Sequence, residues 1–352
     1  MRLTTPPEFH SEAILTDTDF GLLDRILRAE AEEHGLDLHD GHGRSTWCET
    51  EMGEFGVKRR GNDALVFARA HSLEWLASIQ EAIFEHLSET LPDLGQRLRW
   101  SSPADAGKIP LNFSLARVER VDRISADFVR MRLAGPDLRR LATRDSIHFR
   151  LVLPSTGDTA PEWPRIGENG QTVWPKGDKA LHRPVYTVRA IDEAQGWLDF
   201  DIFLHAGGRV SEWALSGPKG RTVGLSGPNG GGIPDAASLV LAGDETAWPA
   251  IARIMAERPD ADASVWLMGA RADYPLPLST RARVTHLPEG AGELVRILRE
   301  TPPSPQAMLW MACEKTVLAS LRGFLLDELG HDRHRTHLGA YWTRAVTQNF
   351  PA

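Results

Sequence analysis

The string Gly243-Asp244-Glu245-Thr246-Ala247-Trp248-Pro249-Ala250-Ile251 follows an apolar run at 239–242 and then takes up a helical period. A strand that ends in a glycine turn and enters a helix leaves backbone N–H groups facing outward, where they can hold a phosphate or other anion. Thr246 adds a hydroxyl, and Pro249 suits the first turn of the helix because it has no N–H to satisfy. Upstream lies Tyr186-Thr187-Val188-Arg189, an aromatic, a hydroxyl and a guanidinium within one short strand-like piece. Between the two runs His205-Ala206-Gly207-Gly208-Arg209-Val210-Ser211-Glu212-Trp213, a second glycine turn with a serine donor three residues on. Taken together, the three segments imply two nucleotide cofactors bound side by side.

Three blocks of elements have to position these residues. Residues 1–103 read as a small α+β domain. Strands are expected at 13–15, 44–48, 54–59 and 64–68. A helix at 20–33 has Asp17 or Asp19 as its cap, and a second at 72–90 is capped by Ser72. A Ser/Pro/Gly linker at 101–107 follows. Residues 108–234 read as an antiparallel β-barrel. Its strands are expected at 116–121, 128–133, 148–153 and 197–205, the last with Leu198, Phe200, Ile202 and Leu204 on one face. Within it, 155–179 is rich in Pro, Gly and Trp and reads as a long ordered loop. The echo LSGPKG (215–220) and LSGPNG (225–230) reads as two turns bracketing a strand. In residues 235–352 strands (239–242, 264–268, 283–286, 308–312) alternate with helices (249–257, 293–300, 317–329). That order calls for a parallel sheet with crossover helices.

The 352-residue chain carries a net charge of −8, which argues against sequence-independent nucleic-acid binding because that needs a basic footprint. Its two cysteines, Cys48 and Cys313, are too few for a zinc ribbon or a four-thiolate iron–sulfur cluster, so redox chemistry calls for an organic cofactor. Thiol poverty, the lack of an apolar leader and the lack of a membrane-length run give a cytoplasmic expectation without stable membrane association. His331, His334 and His337 are spaced by three, but no carboxylate pattern supports ligation, and no metal site is expected. Gly230-Gly231-Gly232 lacks the following Lys-Ser/Thr of a P-loop, and no nucleophile-elbow serine occurs.

A barrel followed by a parallel α/β domain, with these motifs, resembles the siderophore-interacting proteins, FAD-dependent ferric-siderophore reductases of the ferredoxin-reductase-like group. The resemblance covers about 111–344, and the first block is similar to a small domain sometimes fused ahead of such reductases. It implies that Tyr186 packs on the flavin, Thr187 sits near its N5, and an arginine meets the pyrophosphate. Pro184 stands where the family has that arginine, so Arg189 or a shifted Arg183 takes the role. The resemblance also implies flavin contact for Val188, His205, Gly208, Ser211 and Trp213. Their loop is one residue shorter than in the family and lacks its proline. Asp244, Glu245 and Thr246 match Gly-Asp-Glu-Thr-Ala-Leu-Pro-Ala-Ile except at Trp248. Cys313-Glu314 stands at the family's Gly-Glu pair with Cys313 in the glycine position, and Tyr341-Trp342 matches the closing aromatic pair.

The implied fold is multidomain: a small α+β domain, an antiparallel FAD-binding β-barrel and a parallel-sheet nicotinamide-binding domain. The implied cofactors are FAD with NADPH or NADH, and the substrate is a ferric siderophore. No residue is required as acid, base or nucleophile, since electrons pass through the flavin. Arg271, beyond the second parallel strand, is a candidate for a 2′-phosphate. Arg189, Lys315 and Arg344 are candidates for drawing in an anionic chelate. Two alternatives stay open: a flavin reductase with another acceptor, which the same motifs would serve, and a flavin-free siderophore-binding protein, in which the departures at Pro184 and Arg209 mean lost cofactor affinity.

Overall fold

The computed structural model describes residues 7–50, 52–101, 105–271 and 273–344. Residues 102–104 of the expected linker lie outside these. The elements begin with β1 (Phe9–Leu15), α1 (Phe20–His34), β2 (Asp37–Asp40), β3 (Ser45–Thr50), β4 (Gly53–Arg60), β5 (Asp63–Ala70), α2 (Leu73–Thr90) and α3 (Pro92–Arg97). The Asp19 side chain accepts the Gly21 N–H and starts α1, and Gly35, at φ 66°, ends it in the left-handed conformation. Ser72 accepts the Trp75 N–H at 3.2 Å and starts α2. The five strands pair antiparallel in the order β1-β5-β4-β3-β2. Leu15, Leu23, Val66, Leu76, Ile79 and Leu98 form the core between this sheet and its helices. The sequence pattern missed β2 and α3, which are too short to show a period.

Next come β6 (Phe113–Arg123), β7 (Phe128–Ala134), β8 (His148–Val152), β9 (Arg165–Ile166), β10 (Thr172–Val173), β11 (Val185–Thr187), β12 (Ala190–Asp192), β13 (Trp197–Phe203), α4 (Arg209–Leu215) and β14 (Thr222–Asn229). Seven of the strands form a barrel-like sheet in the order β11-β8-β14-β6-β7-β13-β12, while β9 and β10 make a hairpin inside the 155–179 loop. The LSGPNG segment is a correction. It is not a turn, because Leu225–Asn229 lies within β14, where the register against β8 shifts between Ser226 and Asn229. Arg140 is buried beneath that bulge and donates to the carbonyls of Gly227 and Leu225 and to Ser114 Oγ. These irregular groups are therefore satisfied from inside.

The last elements are β15 (Ser238–Gly243), α5 (Trp248–Glu257), β16 (Asp262–Met268), β17 (Ala282–Leu287), α6 (Ala291–Glu300), β18 (Met308–Glu314), α7 (Lys315–Arg322) and β19 (Thr336–Trp342). All five strands are parallel, in the order β17-β16-β15-β18-β19. The single helix expected at 317–329 is instead α7 followed by a π-helical turn at Gly323–Glu328. The chain forms two compact units. One comprises 1–120, 132–198 and 219–232, and the other 121–131, 199–218 and 233–352.

Candidate functional site

In the first unit, β11 pairs antiparallel with β8, setting Tyr186 opposite Phe149 and Thr187 opposite His148. Thr187 and Val188 are buried. The Val188 N–H reaches the Ile147 carbonyl at 2.8 Å, so the strand pairing runs on past Thr187. Burial pushes the Tyr186 phenol above its ordinary pKa, which keeps it neutral and suits it to packing rather than proton transfer. Arg189 is partly buried, and its Nε is a buried donor with no hydrogen-bond partner among the described residues. A native protein rarely leaves such a donor unsatisfied unless something else accepts from it.

Arg183 is placed differently. Its Nη1 donates to Glu85 Oε1 at 2.9 Å, and its guanidinium lies 4.3 Å from the centroid of the Trp174 ring. The residues present fit a flavin nucleotide with Arg189, not Arg183, as the available guanidinium. His148 carries no signal in the sequence. It is buried, and a Cβ on Gly230 would fall 2.8 Å from its Nδ1. No spacing rule links two residues brought together by a strand crossing.

In the second unit, Gly208 precedes α4. A Cβ at Gly208 would fall 2.6 Å from two atoms of the His205 ring, so only glycine lets that ring lie against the turn. The Ser211 hydroxyl accepts the His205 N–H at 3.2 Å and reaches the Phe203 carbonyl at 3.4 Å, holding the turn shut. Its donor, expected to face an anion, is thus used locally. Trp213 is partly buried on α4, and His205 is exposed.

The carboxyl ends of the parallel strands gather the rest. Ligands of open parallel sheets bind where the strand order reverses, and here that point lies between β15 and β18. Asp244 follows β15 and is the hub. Its carboxylate accepts from Thr246 Oγ1 at 2.5 Å, the Glu314 N–H at 3.0 Å and Trp342 Nε1 at 2.8 Å. Glu314 is buried and caps α7, accepting the N–H groups of Thr316 and Val317. Its other oxygen accepts the Arg344 N–H at 3.1 Å. These hydrogen bonds, the Arg344 one foremost, hold its carboxyl below the usual range.

Thr246 therefore offers a ligand its lone pairs, because its hydroxyl hydrogen is taken by Asp244. Glu245 is pushed upward by burial, and a Cβ at Gly269 would fall 2.3 Å from its Oε1. Trp248, in place of the family's leucine, donates from Nε1 to the Gly243 carbonyl at 3.0 Å and stacks on Phe128. Cys313 is buried at the same rim, and burial pushes its thiol up to about 12. Tyr341 meets the Trp310 ring edge-on, and Trp342 is exposed. Register pairs Cys313 with Ala340 and Glu314 with Trp342.

Asp244, Glu245, Thr246, Cys313, Glu314, Tyr341 and Trp342 are thus collected at one sheet end. Arg271 is exposed and bonded to Asp127 at 3.1 Å. The three histidines part company. His337 stacks on Trp310, His331 Nε2 lies 3.1 Å from the Ala307 carbonyl, and His334 is exposed.

The siderophore-interacting FAD-binding domain family matches residues 117–232, and the siderophore-interacting protein family matches residues 236–345. The NADPH-dependent ferric-chelate reductase of Escherichia coli (strain K12) is 29% identical over 246 residues, covering 66% of this chain and 93% of the relative. Among solved structures, a siderophore utilization protein from T. fusca aligns with TM-score 0.59 and 28% identity, over 70% of this chain and 97% of its own. A siderophore-interacting protein from Aeromonas hydrophila shares the fold, with TM-score 0.57 and 23% identity over 67% of this chain and 94% of its own.

Proposed function

We propose that this chain, which belongs to the siderophore-interacting protein family, uses NADPH or NADH to reduce a ferric siderophore through FAD and so releases Fe(II). The observation that carries the reading is the succession within one chain. A FAD-binding family match ends at residue 232, and directly after it comes a parallel sheet whose switch point gathers Asp244, Cys313 and Glu314. Hard oxygen donors grip Fe(III) far more tightly than Fe(II), so one added electron loosens the metal without breaking the chelator. Bound FAD would supply the exchange between two-electron hydride donation and one-electron reduction of iron.

The protein's own residues bind and orient. Tyr186, Thr187 and Val188 would hold the flavin ring, and Arg189, whose buried Nε has no partner among the described residues, would meet the pyrophosphate. His205, Gly208, Ser211 and Trp213 shape the second flavin-facing turn. Asp244 fixes Thr246, Glu314 and Trp342 in one arrangement for the nicotinamide half. Glu245, Cys313 and Tyr341 complete that rim, and no side chain is asked to move a proton.

The working domain division is 1–103, 108–234 and 235–352. No helix among the described residues is long and apolar enough to cross a membrane. A cytoplasmic setting, without nucleic acid or stable membrane attachment, suits a substrate that arrives already imported. The test is optical and steady-state. The purified chain is expected to be yellow or to take up added FAD, and to turn over ferric chelates faster than free flavin or quinone. A colourless chain that ignores FAD would sink the reading.

A further inference from the structure

Two of the carboxylates on helix α2, Glu81 and Glu85, lie one turn apart, and all four of their oxygens accept from barrel residues. Glu81 Oε2 accepts from Asn112 Nδ2 at 2.6 Å and Oε1 from Trp174 Nε1 at 2.9 Å. Glu85 Oε2 accepts from Arg150 Nη2 and Oε1 from Arg183 Nη1, each at 2.9 Å. The four donors come from four separate stretches of chain. Arg150 lies on β8 directly opposite Val185 of β11, and Arg183 leads into β11. Glu85 therefore ties the two strands together one residue before Tyr186 and Phe149 face each other. Trp174 completes the clamp, giving its N–H to Glu81 and its ring face to Arg183. Each guanidinium gives Glu85 its own charge-assisted hydrogen bond, so one carboxylate holds both arginines.

Resting on the FAD reading above, we propose that Glu85 is a positioning residue for the flavin: by clamping Arg150 and Arg183 it sets the β8–β11 pair that presents Tyr186, Thr187 and Arg189. The N-terminal domain is then part of the flavin-holding wall, and Arg183 acts through Glu85 and does not touch the cofactor.

The experiment is a double-mutant cycle in the full chain. FAD dissociation constants are measured by flavin fluorescence for wild type, E85Q, R183Q and E85Q/R183Q, with the visible circular dichroism of the bound flavin and the melting temperature recorded for each. R69Q serves as a control, because it breaks the Arg69–Glu54 pair inside the same domain without touching the barrel. E85Q and R183Q are each expected to weaken FAD about tenfold, with the double variant no weaker than either single one. Both should alter the flavin dichroism, whereas R69Q should leave affinity and dichroism as in wild type. An E85Q affinity equal to wild type overturns the proposal. So does additive loss in the double variant, which makes Arg183 a direct ligand, and so does an equal loss in R69Q, which makes the effect one of domain stability. A wild-type chain that takes up no FAD overturns the parent reading and this one with it.

Discussion

Among the described residues, two five-stranded sheets use their carboxylates in opposite ways. In the antiparallel N-terminal sheet, strand ends alternate in direction, so no single rim collects chemistry. Its polar contribution comes from the helix α2, whose Glu81 and Glu85 reach across to the barrel. In the parallel C-terminal sheet every strand ends on the same side, and Asp244, Glu314 and Trp342 meet there. The helix α2 thus forms a wall and the parallel sheet builds a rim, because only parallel strands bring their loops to one edge.

The contrast can be broken first at the rim. Asp244→Ala strands four donors, the N–H and hydroxyl of Thr246, the Glu314 N–H and the Trp342 indole N–H, and is expected to cost about 3 kcal/mol in urea unfolding. It should also slow NADPH-driven flavin reduction by about two orders of magnitude, since the nicotinamide side loses its order. A loss of stability without a loss of rate would show that the rim is only scaffold.

At the wall the expected effect is smaller. Glu81→Ala leaves Asn112 and Trp174 without an acceptor and should cost about 2 kcal/mol. Burial, followed by the nearby Glu85, raises the Glu81 carboxyl above its ordinary 4.5. Its contribution is therefore full below that value and declines as pH rises through the folded-state value. Glu81→Gln, whose neighbour Asn112 can turn its amide to match, should remove that decline. Urea midpoints at a series of pH values check both variants.

A separate pH effect arises at His337 on β19. Burial against Trp310 pushes its imidazole down to about 4 from 6.5. Stability from this group is present above pH 6.5 and is lost as pH falls toward about 4. His337→Phe should flatten that acid limb without altering the alkaline one.

The smallest expected signal concerns the two thiols, one in each five-stranded sheet. Cys48 and Cys313 are both buried, with thiols pushed up to about 12. Neither should react with iodoacetamide at pH 8 in the folded protein, and both should react in urea. Mass spectrometry of labelled peptides tells them apart. Labelling of Cys313 alone would mean that the rim opens.

Much of the rim was legible because it is local in sequence. The Gly243–Ile251 string announced its own strand, turn and helix, and the alternation after residue 235 gave the parallel sheet. The wall was not legible, since Glu81 and Glu85 sit 31 to 98 residues from their partners, beyond the reach of any spacing rule. Trp248 made sense only once Phe128 and Tyr274 were found against it. The pairing of Arg183 with Glu85 also lay beyond spacing, because the two residues are 98 apart in the chain. LSGPNG misled because Gly-Pro favours turns, yet a bulged strand with Arg140 beneath it accommodates the same residues.

The central claim is electron relay from nicotinamide through FAD to chelated iron, and anaerobic stopped-flow absorbance tests it most directly. The FAD-loaded chain is reduced with NADPH or NADH and then mixed with a panel of ferric siderophores. Electron relay through FAD predicts rapid bleaching of the flavin bands by the nucleotide, followed by their return in step with Fe(II) trapped by a ferrous-specific dye. Bleaching with no siderophore-dependent return, or return without Fe(II), would contradict it.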